Sequence, residues 1–205
     1  MITGGARGIG RAVAIRAAKE GANIVIADWL AQKGKETASE IIAIGGNAIA
    51  LDIDVSKTED AERMVQEAVN AFGRIDYALN AAGHSHLITA PIHSSLRAEL
   101  KQMIKQGQGG AIVNIASAVG IVGISYMPAY TATIDYAKYG IRVNSVNMGN
   151  TDTDALLIEN GIHAQPKRPL STVWEQASII LLLLSDEASN LTGSVYATDG
   201  GYTAY

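Results

Sequence analysis

Apolar positions along the chain fall into two alternating kinds of run. Stretches dense in aliphatic residues at 22–28, 47–53, 76–81, 111–116, 142–147 and 194–198 read as buried strands. Between them, 11–20, 32–44, 58–72, 96–106 and 172–184 carry apolar residues at helical spacing. Gly21, Gly45 and Gly73 follow the first three of these, where a left-handed residue closes a helix. The strands are continuously apolar rather than alternating, so both sheet faces must be covered. Strand–helix alternation of this kind predicts a parallel sheet with helices on both sides. The fold class is α/β, a single Rossmann-like doubly wound domain over 1–205, with no repeat, low-complexity tract or linker. The run 179–184 is expected to be the core face of the last helix.

Composition narrows the picture without changing it. A chain of 205 residues, 48% hydrophobic and 18% charged, suits one globular domain and excludes disorder. The absence of cysteine excludes disulfides and thiolate chemistry. Sixteen basic and twenty acidic residues give a formal charge of −4, with no basic run, which speaks against nucleic acid and anionic membranes as partners. The aliphatic run 179–184 is far shorter than the roughly 20 residues that a bilayer span needs. No secretory leader is recognisable, so the cytoplasm is the expected location. His84 and His86 have no third ligand at metal-binding spacing, and no metal is expected.

Chemistry enters with Thr3-Gly-Gly-Ala-Arg-Gly-Ile-Gly10, immediately before the first helix. Gly4, Gly8 and Gly10 lack the Cβ that would keep a backbone away from a pyrophosphate, whose charge rests on the following helix N-terminus. Arg7 and Ile9 belong to the same turn. No Gly-Lys-Ser/Thr follows, which excludes a Walker loop. Asp28 closes the next strand, 20 residues after Gly8, where a carboxylate accepts hydrogen bonds from a ribose 2′-hydroxyl. Its charge repels a 2′-phosphate, so NAD is favoured over NADP, although Arg7 weakens that preference. Trp29 is a candidate to stack on the adenine.

Further signatures follow in order: Asp54-Val55, Asn80-Ala-Ala-Gly83, Ser117 after Ile112-Val-Asn-Ile-Ala, Tyr130, Gly140-Ile-Arg-Val-Asn144, Gly149 with Thr151 and Thr153, and Asp199-Gly-Gly201. Together these resemble the short-chain dehydrogenase/reductase family along nearly the whole chain. The resemblance implies a sheet of order 3-2-1-4-5-6-7 with the dinucleotide across the carboxyl ends of its strands. It implies that Asp54 and Val55 contact the adenine and that Asn80, Ala81 and Gly83 line the cofactor cleft. Ile115, Gly149 and Thr151 would border the nicotinamide, with Thr153 near its carboxamide or the pyrophosphate. The implied reaction is reversible hydride transfer between a nicotinamide and an alcohol or ketone. Ser117 matches the hydroxyl that binds the substrate oxygen, and Tyr130 the acid/base that exchanges its proton. A homotetramer is also implied.

The chain departs from the family pattern in identifiable places. A lysine stands four residues after the tyrosine in the family; here that position is Ile134. About three helical turns are missing between Thr133 and Ile134. A second shortfall near Ser95 removes the segment that would carry the family's catalytic asparagine. Only Met1 and Ile2 precede Thr3, so Met1 reads as an interior strand residue. Met148 replaces the family's usual proline. Two functions follow as expectations: an NAD-dependent dehydrogenase of secondary alcohols, or a catalytically impaired dinucleotide-binding protein lacking the active-site lysine and asparagine.

Overall fold

The computed structural model describes residues 1–83, 90–117, 135–153 and 170–204, of which 90–93 and 117 are described by backbone only. Seven parallel strands form one sheet: β1 (Ile2–Thr3), β2 (Asn23–Asp28), β3 (Asn47–Asp52), β4 (Tyr77–Asn80), β5 (Gly110–Ser117), β6 (Ile141–Met148) and β7 (Val195–Thr198). Their order is β3-β2-β1-β4-β5-β6-β7, the order that the resemblance implied. Chain direction across the sheet reverses at β1, whose neighbours are β2 and β4. The carboxyl ends of β1 and β4 therefore part at a switch point, where such sheets bind ligands.

Among the described residues five α-helices cover the faces: α1 (Gly8–Lys19), α2 (Ala31–Ala43), α3 (Thr58–Phe72), α4 (Ala90–Gln106) and α5 (Val173–Leu184). One core joins α1, α2 and α5 to the sheet through residues such as Val13, Ile41, Leu79 and Ile180. The other joins α3 and α4 to the opposite face through Met64, Leu100, Met103 and Ile112. Gly21, Gly45 and Gly73 adopt positive φ after α1, α2 and α3, as their positions predict. In α5, Thr172 and Glu175 form a reciprocal capping box. Of its aliphatic run, Ile180, Leu183 and Leu184 are buried while Leu182 is exposed, so the expected core face holds for only part of the run.

The expected junction near Ser95 lies inside α4, which runs unbroken for 17 residues with Pro91 in its first turn, where a missing N–H costs no helical bond. The Thr133–Ile134 junction lies outside the described residues. Among the described residues no helix is long and apolar enough to cross a membrane. A cavity of about 810 Å³ lies at the amino ends of the strands, between the starts of β2 and β4. It is distant from the glycine turn and is flanked by the short β1.

Candidate functional site

The turn from β1 into α1 is packed against backbone on two sides. A Cβ on Gly10 would stand 2.2 Å from the Gly4 carbonyl oxygen, and one on Gly4 would stand 2.8 Å from the backbone of Ala81 and Ala82. Glycine at both positions lets α1 begin directly at the sheet end. The N-cap residue of α1, Arg7, makes no side-chain cap, and the first turn holds no acidic residue. Its leading N–H groups and the positive end of its dipole are therefore available to an anion.

Asp28, 7% exposed at the end of β2, faces the same turn. One carboxylate oxygen accepts from the Ala6 N–H and the other from the Leu30 N–H, each at 3.0 Å. Each oxygen keeps lone-pair capacity for a further donor such as a ribose hydroxyl. After β3, the Asp54 carboxyl accepts from the Ser56 hydroxyl at 2.6 Å and from the Ser56 N–H at 3.1 Å. These bonds, the hydroxyl first, hold Asp54 below the usual carboxylate range.

A cavity of about 390 Å³ opens between these elements at the carboxyl end of the sheet. From the glycine turn it is lined by Gly4, Arg7, Gly8, Ile9 and Gly10, and from the end of β2 by Asp28 and Trp29. Asp54 and Val55, Ala81 and Gly83, Ile115 and Thr153 complete the predicted residues that reach it. Thr153 sits against Gly8, beside the start of α1. Trp29 is 63% exposed at the rim. Three predicted residues do not line the cavity. The Thr151 hydroxyl donates to the Gly149 carbonyl and meets Ser171 Oγ at 3.0 Å, tying this segment to the start of α5. The Asn80 side chain points instead between the sheet and α4. Ala27, Ile53, Ser56 and Ala82 line the cavity without having been singled out; Ala82 sits within the Asn80–Gly83 motif and Ser56 directly follows Asp54-Val55. Tyr130 lies outside the described residues, as does the side chain of Ser117, whose backbone ends β5. His84 and His86 also lie outside them.

Behind the cavity wall, Thr3, Asn80 and Asn114 stand side by side on β1, β4 and β5. The Asn80 amide donates to Asn114 Oδ1 at 3.0 Å and to the carboxylate of Glu99 on α4 at 2.9 Å. Glu99 is fully buried, and its second oxygen has no partner among the described residues. Burial pushes its carboxyl from 4.5 up to about 7, against the pull of the Asn80 bond and the Met1 ammonium. The folded carboxyl thus keeps its proton where an unfolded one has lost it. Stability from this group is complete below pH 4.5, falls as pH rises to about 7, and is constant above. The fall amounts to roughly 3 kcal/mol. Met1, whose amine burial pushes down to about 6, contributes the opposite slope between pH 6 and 8. Urea melts of wild type and Glu99→Gln across pH 4–9 separate the two, because only the difference between the proteins reports Glu99. A difference that does not vary with pH would contradict the assignment.

The family model for short chain dehydrogenases matches residues 1–157. The chain belongs to the short-chain dehydrogenase family. An uncharacterized oxidoreductase of Thermotoga maritima is 34% identical over 246 aligned positions, covering 100% of this chain and 96% of its own. A cyclohexanol dehydrogenase of an Acinetobacter species is 31% identical over 237 positions, covering 100% and 94%. The crystal structure of levodione reductase superposes with a TM-score of 0.88 at 28% identity, covering 99% of this chain and 96% of that one. The alignment with the Thermotoga protein leaves at least 41 positions where the relative has residues and this short-chain dehydrogenase has none.

Proposed function

We propose that this short-chain dehydrogenase transfers a hydride between NAD(H) and a secondary alcohol or its ketone. The carrying observation is the single cavity that brings the uncapped start of α1 together with Asp28, one suited to a pyrophosphate and the other to ribose hydroxyls. The residues present fit a dinucleotide, since Gly4 and Gly10 leave no room for side chains between the turn and its neighbours. When bound, the nicotinamide supplies the hydride donor or acceptor. The chain's own residues do the rest. The start of α1 holds the phosphates, Asp28 holds the adenosine ribose, and Asp54 and Val55 bound the adenine side. Ser117 orients the substrate oxygen, and Tyr130 carries its proton. Dehydrogenases of cyclic alcohols among the relatives support a compact secondary alcohol as the substrate class. A cytoplasmic homotetramer is part of the same reading and rests on the family likeness.

Two measurements test it together. Calorimetric titration is expected to show NADH binding at least tenfold more tightly than NADPH. Asp28→Asn, which removes the charge but keeps an acceptor, is expected to bring the two within about threefold. Absorbance at 340 nm with NAD and a panel of secondary alcohols, cyclohexanol included, then reads turnover. Failure to bind either nucleotide would overturn the reading.

A second reading is favoured by one specific observation: Ile134 stands where the family's lysine would, next to a stretch where the chain is short. On that reading the protein binds the dinucleotide but turns over negligibly. The mass of the native polypeptide distinguishes the two. A value near 21.5 kDa supports the impaired binder, and several kDa more supports the complete enzyme.

A further inference from the structure

We infer that Glu99 is a positioning residue of the dinucleotide cleft, acting through Asn80 and Thr3 on the cavity wall at Ala82. The inference rests on the dinucleotide-binding reading above and deepens it. A chain of hydrogen bonds links the two ends. The Ala82 N–H donates to the Thr3 hydroxyl at 3.3 Å, that hydroxyl donates to Asn80 Oδ1 at 3.5 Å, and the Asn80 amide donates to Glu99 at 2.9 Å. The second Asn80 N–H is taken by Asn114. Both hydrogens of the amide and its oxygen are thus engaged, and its orientation is fixed.

Glu99 sets the direction of this chain. An ionised carboxylate only accepts, so it requires the amide nitrogen on its side and places the amide oxygen toward Thr3. Thr3 must then donate to Asn80, which leaves its lone pairs for the Ala82 N–H. Ala82 lines the cavity, and its backbone lies against Gly4, where a Cβ would approach within 2.8 Å. Any displacement of Ala82 is therefore passed to the glycine turn. The same anchor ties together the ends of β1, β4 and β5, the strands that lead into the turn, the wall and Ile115.

Core stability does not explain the residue. A buried acid with one oxygen unpartnered among the described residues is a poor core group, and apolar residues of similar volume are commonly as stable or more so. What the carboxylate supplies is a polarity for the chain, which leucine lacks and glutamine retains through its carbonyl oxygen. Few charges compete with it. Among the described residues the ionisable group acting on Glu99 is the Met1 ammonium. In the shared core, α3 meets α4 with Ala61, Met64, Val65 and Ala68, and β5 contributes Ile112 beside the neutral Asn114.

The test uses NADH as the probe, followed by fluorescence titration, with Glu99→Leu and Glu99→Gln in the full chain. Glu99→Leu is expected to weaken NADH binding about tenfold at pH 8, and Glu99→Gln to stay within about threefold of wild type. A structural role alone would move melting temperature without this split. A second readout needs no nucleotide and survives a leucine variant that does not fold. The NMR shift of the Ala82 amide is expected to titrate near pH 7 in wild type and not in Glu99→Gln. NADH binding unchanged in a folded Glu99→Leu, or an Ala82 amide that ignores pH, would overturn the inference. Wild type that fails to bind NADH while the Ala82 amide still titrates would instead remove the dinucleotide reading.

Discussion

Gly10→Ala is expected to lower NADH affinity at least 100-fold and to destabilise the fold. The added methyl would lie 2.2 Å from the Gly4 oxygen, 2.8 Å from its carbonyl carbon and 3.1 Å from the Gly5 Cα. All three are backbone atoms, so no side-chain rotation relieves the overlap. Either the glycine turn moves away from the Ala81–Ala82 backbone or α1 withdraws from the sheet. Withdrawal would unseat Val13, Ala14 and Ile15, all buried in the first core. Overpacking of this kind costs about 1–3 kcal/mol. The binding loss comes in addition to the stability loss because phosphate contacts would depend on the helix N-terminus and the turn keeping register with each other. Calorimetry with NADH, paired with thermal melts, separates the two effects. Gly34→Ala serves as the control, since a Cβ there meets only Ala50 and Ile26 side chains at 3.7 Å. It is expected to stabilise α2 by about 0.5–1 kcal/mol and leave NADH binding unchanged. A Gly10→Ala protein that binds NADH within tenfold of wild type would mean that the turn does not seat the pyrophosphate.

The same geometry shows what a linear sequence discloses and what it hides. The helix expected at 58–72 is α3 residue for residue, because an apolar stripe and a closing glycine bound it on physical grounds. The start of α1 lies three residues before its apolar periodicity begins, at Gly8, since a glycine turn carries no stripe. The first strand has two residues and no readable period; its place between β2 and β4 came from the family likeness. The place of Asp28 on the cavity was legible because a single residue at the end of a strand can be read from its distance to the glycine turn. The row of Thr3, Asn80 and Asn114 was not, because it exists only once parallel register sets three strands side by side. Asn80 accordingly reads as a cleft residue in its motif, while its side chain serves the opposite side of the wall. Glu99 is marked by nothing nearby in the chain. The flanking charges Arg97 and Lys101 are exposed, and only the fold shows that this charge, unlike them, lies inward with Leu96, Leu100 and Met103.

Tyr130→Phe is expected to lower kcat for alcohol oxidation about 10²–10⁴-fold while leaving NADH affinity within twofold of wild type. The reason lies in charge balance. Hydride departure from carbon without loss of the hydroxyl proton leaves a protonated carbonyl, a high-energy species that a positioned base avoids. Phenylalanine keeps the ring and removes the proton acceptor. A tyrosine titrates ordinarily near about 10, so it serves as a base at neutral pH only beside positive charge. Ile134, four residues after Tyr130, supplies none. Ile134→Lys, which restores a cation at the family's spacing, is therefore expected to raise kcat at neutral pH. The pH–rate profiles of wild type, Tyr130→Phe and Ile134→Lys decide the matter. Turnover that survives Tyr130→Phe would assign the proton transfer to another group. A profile already flat through neutrality in wild type would mean that a cation from elsewhere in the protein takes the lysine's place.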